Sequence, residues 1–184
     1  MPVAEMSRVL SPSFFRRSVV TVARDLLGKF LVRRISGREI AVMITETEAY
    51  DGSQDRACHA HRGRTPRNAP MFGPARCWYV YFVYGMHWML NVVTGESGYP
   101  AAVLIRGAGE WEGPGKLTKA LQIDGAWSGK VAEEKSDLWI EDRGVAISPR
   151  HVQALPRVGV DYAGSWARKP WRFVLRSSSS FLHS

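Results

Sequence analysis

Residues 40–50 read Ile-Ala-Val-Met-Ile-Thr-Glu-Thr-Glu-Ala-Tyr, and their even positions are apolar at Ile40, Val42 and Ile44, then Glu46, Glu48 and Tyr50. Alternate side chains of a strand share one face, so a period of two predicts a strand with a face that passes from core to two carboxylates and a ring. The run before it, 29–35, also reads as a strand, and Ser36-Gly37-Arg38 as a tight turn. Together they predict an antiparallel hairpin with Glu48 at its far end. A strand running out into solvent also carries Glu, so the neighbouring sequence has to decide between that reading and a site.

Upstream, Ser13 is the predicted cap of a helix in which Val19, Val20, Ala23, Leu26 and Leu27 recur at helical spacing, with Gly28 as its terminator. Downstream, 51–74 turns to Gly, Pro, His, Asn and Arg, including Arg56, Arg62, Arg64 and Arg67, which predicts an exposed basic loop. Two aromatic-rich runs within 77–93 break at Tyr84-Gly85 and predict a second hairpin with a tyrosine at its tip. Tyr79, Phe82 and Trp88 are assigned to its packed side. A strand over 101–105 then delivers Arg106, 107–115 is a loop, and 116–123 a short helix on Leu117, Ala120 and Leu121. Residues 138–141 read as a strand, 148–154 as a helical turn, 172–176 as a closing strand and 177–184 as a disordered tail. No repeat or linker divides residues 1–184. The sum is an α+β fold: a single mixed domain with a curved antiparallel β-sheet, flanking helices and a protruding hairpin.

The chain has 184 residues, enough for one domain with a sizeable core. A formal charge of +8 predicts a polyanionic partner, nucleic acid before an anionic membrane surface. Two cysteines and no secretory leader predict a reduced, intracellular setting: cytoplasm or nucleoid in a bacterium, nucleus in a eukaryote. No run is long enough to span a bilayer, so no membrane association is expected. His59 and His61 beside Cys58 lack the second ligand pair that zinc sites show, so no metal and no cofactor are expected. The glycines of 109–116 miss the phosphate-loop spacing by one residue.

Two uses of such a surface can be argued from the residues. In one, the arginines hold a phosphate backbone, Tyr84 wedges into a duplex, and Glu48 acts on a base taken out of the stack. In the other, the basic and aromatic surface recognises bent or damaged DNA, or structured RNA, without chemistry.

Several stretches also resemble, in order, the alkyladenine (3-methyladenine) DNA glycosylase family. They are Thr45-Glu46-Thr47-Glu48-Ala49-Tyr50, His59, Arg64-Thr65-Pro66-Arg67-Asn68 with Met71-Phe72, Tyr79-Val80-Tyr81 through Tyr84-Gly85-Met86, Asn91, Leu104-Ile105-Arg106, Gly113-Pro114 with Lys116-Leu117, and Arg157-Val158-Gly159-Val160 through Trp166-Ala167-Arg168-Lys169-Pro170. The resemblance implies a monofunctional enzyme of base excision repair that acts on double-stranded DNA, probing it with the hairpin. It would flip out alkylated or deaminated purines (3-methyladenine, 7-methylguanine, hypoxanthine, ethenoadenine) and hydrolyse the N-glycosidic bond. By the same resemblance Glu48 is similar to the general base and Arg106 to its partner. Tyr50, His59 and Tyr81 resemble the base pocket, and Asn91 the group that disfavours guanine. Tyr84 is similar to the intercalating residue, with Met86 beside it, and Arg64, Arg67 and Lys116 to backbone contacts. His87 departs from the aromatic residue often found at its position, and the stretch after Arg106 is short. Glu46 fits a structural hydrogen-bonding role, no lysine falls at a pocket position, and a monomer is expected.

Overall fold

The hairpin predicted around the Ser36-Gly37 turn forms and becomes the spine of the molecule. In the computed structural model, which describes residues 7–176, β2 (Phe30–Ile35) and β3 (Arg38–Asp51) pair from Ile35 opposite Arg38 to Phe30 opposite Met43. Ser36 and Gly37 have φ of 50° and 78°, the left-handed pair that a two-residue hairpin turn requires. Before this hairpin come β1 (Arg8–Val9), α1 (Pro12–Phe15) and α2 (Val19–Asp25); after it come β4 (Trp78–Val83), β5 (His87–Thr94), β6 (Ala101–Ala108), β7 (Trp111–Glu112), α3 (Pro114–Ala120), β8 (Leu138–Asp142), β9 (Val152–Leu155) and β10 (Arg172–Leu175). The strands form an open antiparallel sheet in the order β1-β8-β2-β3-β6-β5-β4, with β10 joining β3 to β9 and β7 joined to β6. The α+β expectation holds.

Both longer helices lie on one face. Val19, Val22, Ala23 and Leu26 of the α2 region and Leu117 and Leu121 at α3 share a cluster with Leu31, Ile44, Val80, Leu90, Val92, Val103 and Ile105 of the sheet. The predicted single helix is split, because the chain turns between Phe15 and Val19. Ser13 lies inside α1, and neither Ser11 nor Ser18, at the two cap positions, makes a side-chain capping bond. The opposite face of the sheet is covered by the arginine-rich segment, which is not simply exposed. Its Ala57, Cys58, Ala60, Asn68 and Met71 are buried, while Arg56, Arg62, Arg64 and Arg67 point outward. Two further expectations are corrected locally: the 107–115 loop contains the short β6–β7 pairing, and 148–154 is one 3-10 turn followed by β9. The expected tail, 177–184, lies outside the described residues.

The decisive feature is a pair of bulges. Ile44 pairs with Ala108 and Glu46 with Gly107, but Thr47 pairs with Ile105, so Thr45 on β3 and Arg106 on β6 are each one residue extra. Each bulge shifts the alternation by one position. The helix-covered face therefore continues through Thr47, whose hydroxyl donates to the Ala23 carbonyl at 2.7 Å, and through Ala49. Glu48 and Tyr50 face the other side. They do not extend the Ile40–Ile44 face, as uninterrupted alternation predicts; they stand opposite it, under the cap.

Candidate active site

On the capped face a cavity of about 330 Å³ is bordered by Tyr50, His59, Tyr81, Asn91, Arg106 and Val158, among others. That volume lies within the range of small-molecule sites. Neighbouring strands supply the walls: Tyr79 and Tyr81 from β4, Met89 and Asn91 from β5, Ala102 and Leu104 from β6. Asn91 is opposite both Tyr79 and Leu104, and its amide donates to the carbonyls of Tyr79 at 3.0 Å and Met89 at 3.3 Å. Those two bonds fix its rotamer. His59 Nδ1 lies 3.0 Å from the Tyr79 hydroxyl, and its ring meets Tyr81 edge-on at 4.5 Å. Crowding by protein, with the charge of Arg67, lowers the His59 pKa and favours a neutral ring near neutral pH.

Glu48 lies directly behind this wall. Its side chain is fully buried and does not itself border the cavity, yet each group holding it does. The Tyr50 hydroxyl donates to Oε2 at 2.7 Å, the Val158 backbone N–H donates to Oε1 at 2.8 Å, and Arg106 Nε lies 3.5 Å from Oε1. Burial pushes the Glu48 carboxyl above the ordinary carboxylate range, against the opposing pull of Arg106, the Val158 N–H and the Tyr50 hydroxyl. Tyr50 is raised well above its usual value, chiefly by burial, so it remains a donor. Glu46 plays the structural part expected of it, accepting from Arg106 Nε and Arg172 Nη1, each at 3.0 Å.

At the mouth, the hairpin tip projects Tyr84 at 84% exposure and Met86 at 65%. Tyr84 and Gly85 both have positive φ, and Met86 N–H donates to the Val83 carbonyl, which closes the turn. Phe82, expected to pack inward, is 42% exposed and meets Trp88 at 4.7 Å; Tyr79 is buried, but in the cavity-side cluster and not beneath the helices. Arg64 and Lys116 are exposed. Arg67 is exposed too, but its side chain is folded along the surface: it donates to the Phe82 carbonyl at 2.9 Å, with its guanidinium 5.2 Å from the Tyr81 ring centre. His87 packs over Gly115, where an added Cβ would fall 2.7 Å from its ring nitrogen.

The sequence matches the model of the methylpurine-DNA glycosylase family over residues 13–111 and 109–179. The chain belongs to that family. Its role is therefore that of a DNA glycosylase, with DNA as its partner. Among similar proteins, one from Methanocella arvoryzae is 45% identical, covering 92% of this chain and 94% of its own length. One from Anaeromyxobacter dehalogenans is 47% identical (92% and 84%), and one from Myxococcus xanthus 43% (92% and 91%). All three carry the name "Putative 3-methyladenine DNA glycosylase".

In this glycosylase several site groups escape reading by residue type. Val158 contributes a backbone N–H, which no side chain announces. Arg157 and Asp55, both fully buried, form a two-pronged ion pair at 2.6 and 2.9 Å, and Arg157 also donates to the carbonyls of Ala49 and Trp166. Tyr162, 72% exposed, joins the cavity rim. Among the described residues no group of three or more His, Cys, Asp or Glu is placed to hold a metal ion, and no helix is long and apolar enough to cross a membrane.

Proposed function

We propose that this glycosylase removes alkylated or deaminated purines (3-methyladenine, 7-methylguanine, hypoxanthine, ethenoadenine) from duplex DNA by hydrolysis, as a monomer in which one domain carries the whole activity. The compartment is the one that holds the chromosome. The carrying observation is the convergence of the Tyr50 hydroxyl, the Val158 N–H and Arg106 on the Glu48 carboxylate, immediately behind a tyrosine-walled cavity. A carboxylate offers about four lone-pair sites; the Tyr50 and Val158 bonds take two, and the others, beside the Arg106 charge, are left for a water molecule. With a nucleotide in the cavity, that water attacks the sugar C1′ while the bond from C1′ to the base nitrogen breaks. Its proton passes to Glu48 and the bonding electrons leave with the base. The cationic sugar formed on the way is stabilised by the nearby carboxylate, as in inverting glycoside hydrolysis.

The pocket suits the leaving group. A purine alkylated on a ring nitrogen is cationic, and the faces of Tyr50 and Tyr81 attract cations by about 0.5–2 kcal/mol. Asn91, pinned by two carbonyls, disfavours the extra 2-amino group of guanine, a cost that cationic 7-methylguanine offsets through its attraction to the tyrosine faces. Weakened pairing lowers the cost of flipping a damaged base, and Tyr84 fills the gap it leaves. Arg64, Arg67 and Lys116 lie along the backbone in this reading, with Arg67 also resting against the pocket ring of Tyr81.

The test is release of free hypoxanthine or 3-methyladenine from a duplex carrying one lesion. Binding without release would leave a module that recognises distorted DNA and does no chemistry. Tyr84→Ala should bind an undamaged duplex about as well as wild type yet excise at least tenfold more slowly, since stacking on a base is worth about 1–3 kcal/mol. An unchanged excision rate would remove the wedge role. No lysine borders the cavity, so borohydride should trap no covalent adduct with DNA.

A further inference from the structure

Arg172 opens β10 directly opposite Glu48 on β3, and it does not border the cavity. Its two donors reach the two features that hold Glu48. Nη1 donates to Glu46 Oε1 at 3.0 Å, the same oxygen that accepts from Arg106 Nε at 3.0 Å. Nε donates to the Pro156 carbonyl at 3.0 Å, two residues before the Val158 N–H that binds Glu48.

Arg106 is thus shared between two carboxylates, 3.0 Å from Glu46 and 3.5 Å from Glu48. The groups around Glu48 are Tyr50 and Glu46 on its own strand, Arg106 on β6, Tyr81 on β4, Arg172 on β10, and the Arg157–Asp55 pair behind Val158. Only Glu46 and Asp55 among them carry negative charge. Asp55 is met on both oxygens by Arg157. Among the described residues Glu46 pairs with Arg106 and Arg172 alone, both on its Oε1. Without Arg172, Glu46 would claim Arg106 for itself and set an uncompensated like charge beside Glu48.

We propose that Arg172 is a positioning residue of the glycosylase: by neutralising Glu46 it leaves Arg106 to Glu48 and the attacking water, and through Pro156 it fixes the Val158 N–H. The proposal rests on the reading of Glu48 as the general base. It deepens that reading by naming a group that never touches the substrate.

The test titrates the glutamate carboxyls by ¹³C NMR without DNA and, in parallel, follows single-turnover base release against pH. In Arg172→Met the Glu48 titration and the acid limb of release should both move up by about one pH unit, the usual effect of an uncompensated neighbouring charge. Below the limb, release should fall about tenfold, while the enzyme concentration giving half-maximal rate stays put. Arg172→Lys keeps the charge and should restore most of the limb; Arg172→Met with Glu46→Gln should return it to the wild-type position. A merely structural arginine would lower the rate equally at every pH, and Glu46→Gln would not rescue it; that result overturns the proposal. If wild type releases no base, the catalytic reading fails by itself, and the NMR titration still decides whether Arg172 controls the charge at Glu48. If Arg172→Met does not fold, Glu46→Gln alone should lower the Glu48 titration, and an unmoved titration overturns the proposal.

Discussion

Glu48→Gln should reduce base release by about 10³-fold, the middle of the range for loss of a positioned general base, while lesion-containing duplex still binds within a few-fold of wild type. Gln keeps the shape and an acceptor for the Val158 N–H but cannot take a proton from water. The same substitution carries a stability signature. Burial raises the folded-state pKa of Glu48, so the stability linked to its proton is fully present below the unfolded pKa and is lost as pH rises through the folded one. Removing the ionisable group removes that loss. The variant should therefore melt no lower than wild type at pH 7, and any gain should disappear once the pH falls below the ordinary carboxylate range. In wild type, activity should rise with pH across a limb placed above that of a solvent-exposed glutamate, because the carboxylate is the working form. Near-wild-type release by Glu48→Gln would sink the base assignment. A variant that melts well below wild type at pH 7 would show that ionised Glu48 is a structural anchor whose burial is already compensated.

How far the sequence carries can be followed along β3. The hairpin, the turn at Ser36-Gly37 and the tyrosine at the second tip are local features, written in alternation and turn chemistry, and the structure has them all. The face on which Glu48 stands was not legible, because the bulge residue Thr45 looks like any other polar residue of a strand, and its counterpart Arg106 lies 61 positions away. Uninterrupted alternation puts Glu48 beside the helix-covered core; the paired bulges put it on the cavity side. The cap was missed for a related reason. Cys58, Ala60 and Met71 are scattered among arginines without a period, and they become a buried layer only because the sheet beneath offers Tyr79, Val93 and Ala102 to pack on. Phe82 shows the opposite failure, an aromatic strand residue left partly exposed where the hairpin leaves the body of the molecule. Composition predicted the basic charge, but only the structure shows that Arg67, exposed like Arg64, is held against Tyr81 and Phe82.

Asp55→Asn should be the most destabilising single change near the site, by about 3–5 kcal/mol, because it strands a fully buried guanidinium without its counter-charge. For a chain of this length that corresponds to a melting temperature lower by about 6–20 °C. The carboxylate is committed on every side: it accepts from Arg157 twice and from the backbone N–H groups of Asp51 and Ala57, both at 3.0 Å. Arg157 in turn lies between the rings of Tyr50 and Trp171, at 5.0 and 5.1 Å. The pair thereby joins the start of the cap, the end of β3 and the segment bearing Val158, three pieces far apart in sequence that must meet around Glu48. Its loss should reach catalysis as well: a loosened Val158 N–H no longer fixes Oε1, so release should slow even at temperatures where the variant is fully folded. Pairing Asp55→Asn with Arg157→Gln separates the two effects. If desolvated charge is the cause of the instability, the second change recovers part of it, since no unpaired ion remains. Catalysis should stay slow, because the tie to Val158 is still cut. Strict additivity of the two stability losses would mean that the ion pair itself contributes nothing, and that packing between Tyr50 and Trp171 is what holds the pocket's back wall in place.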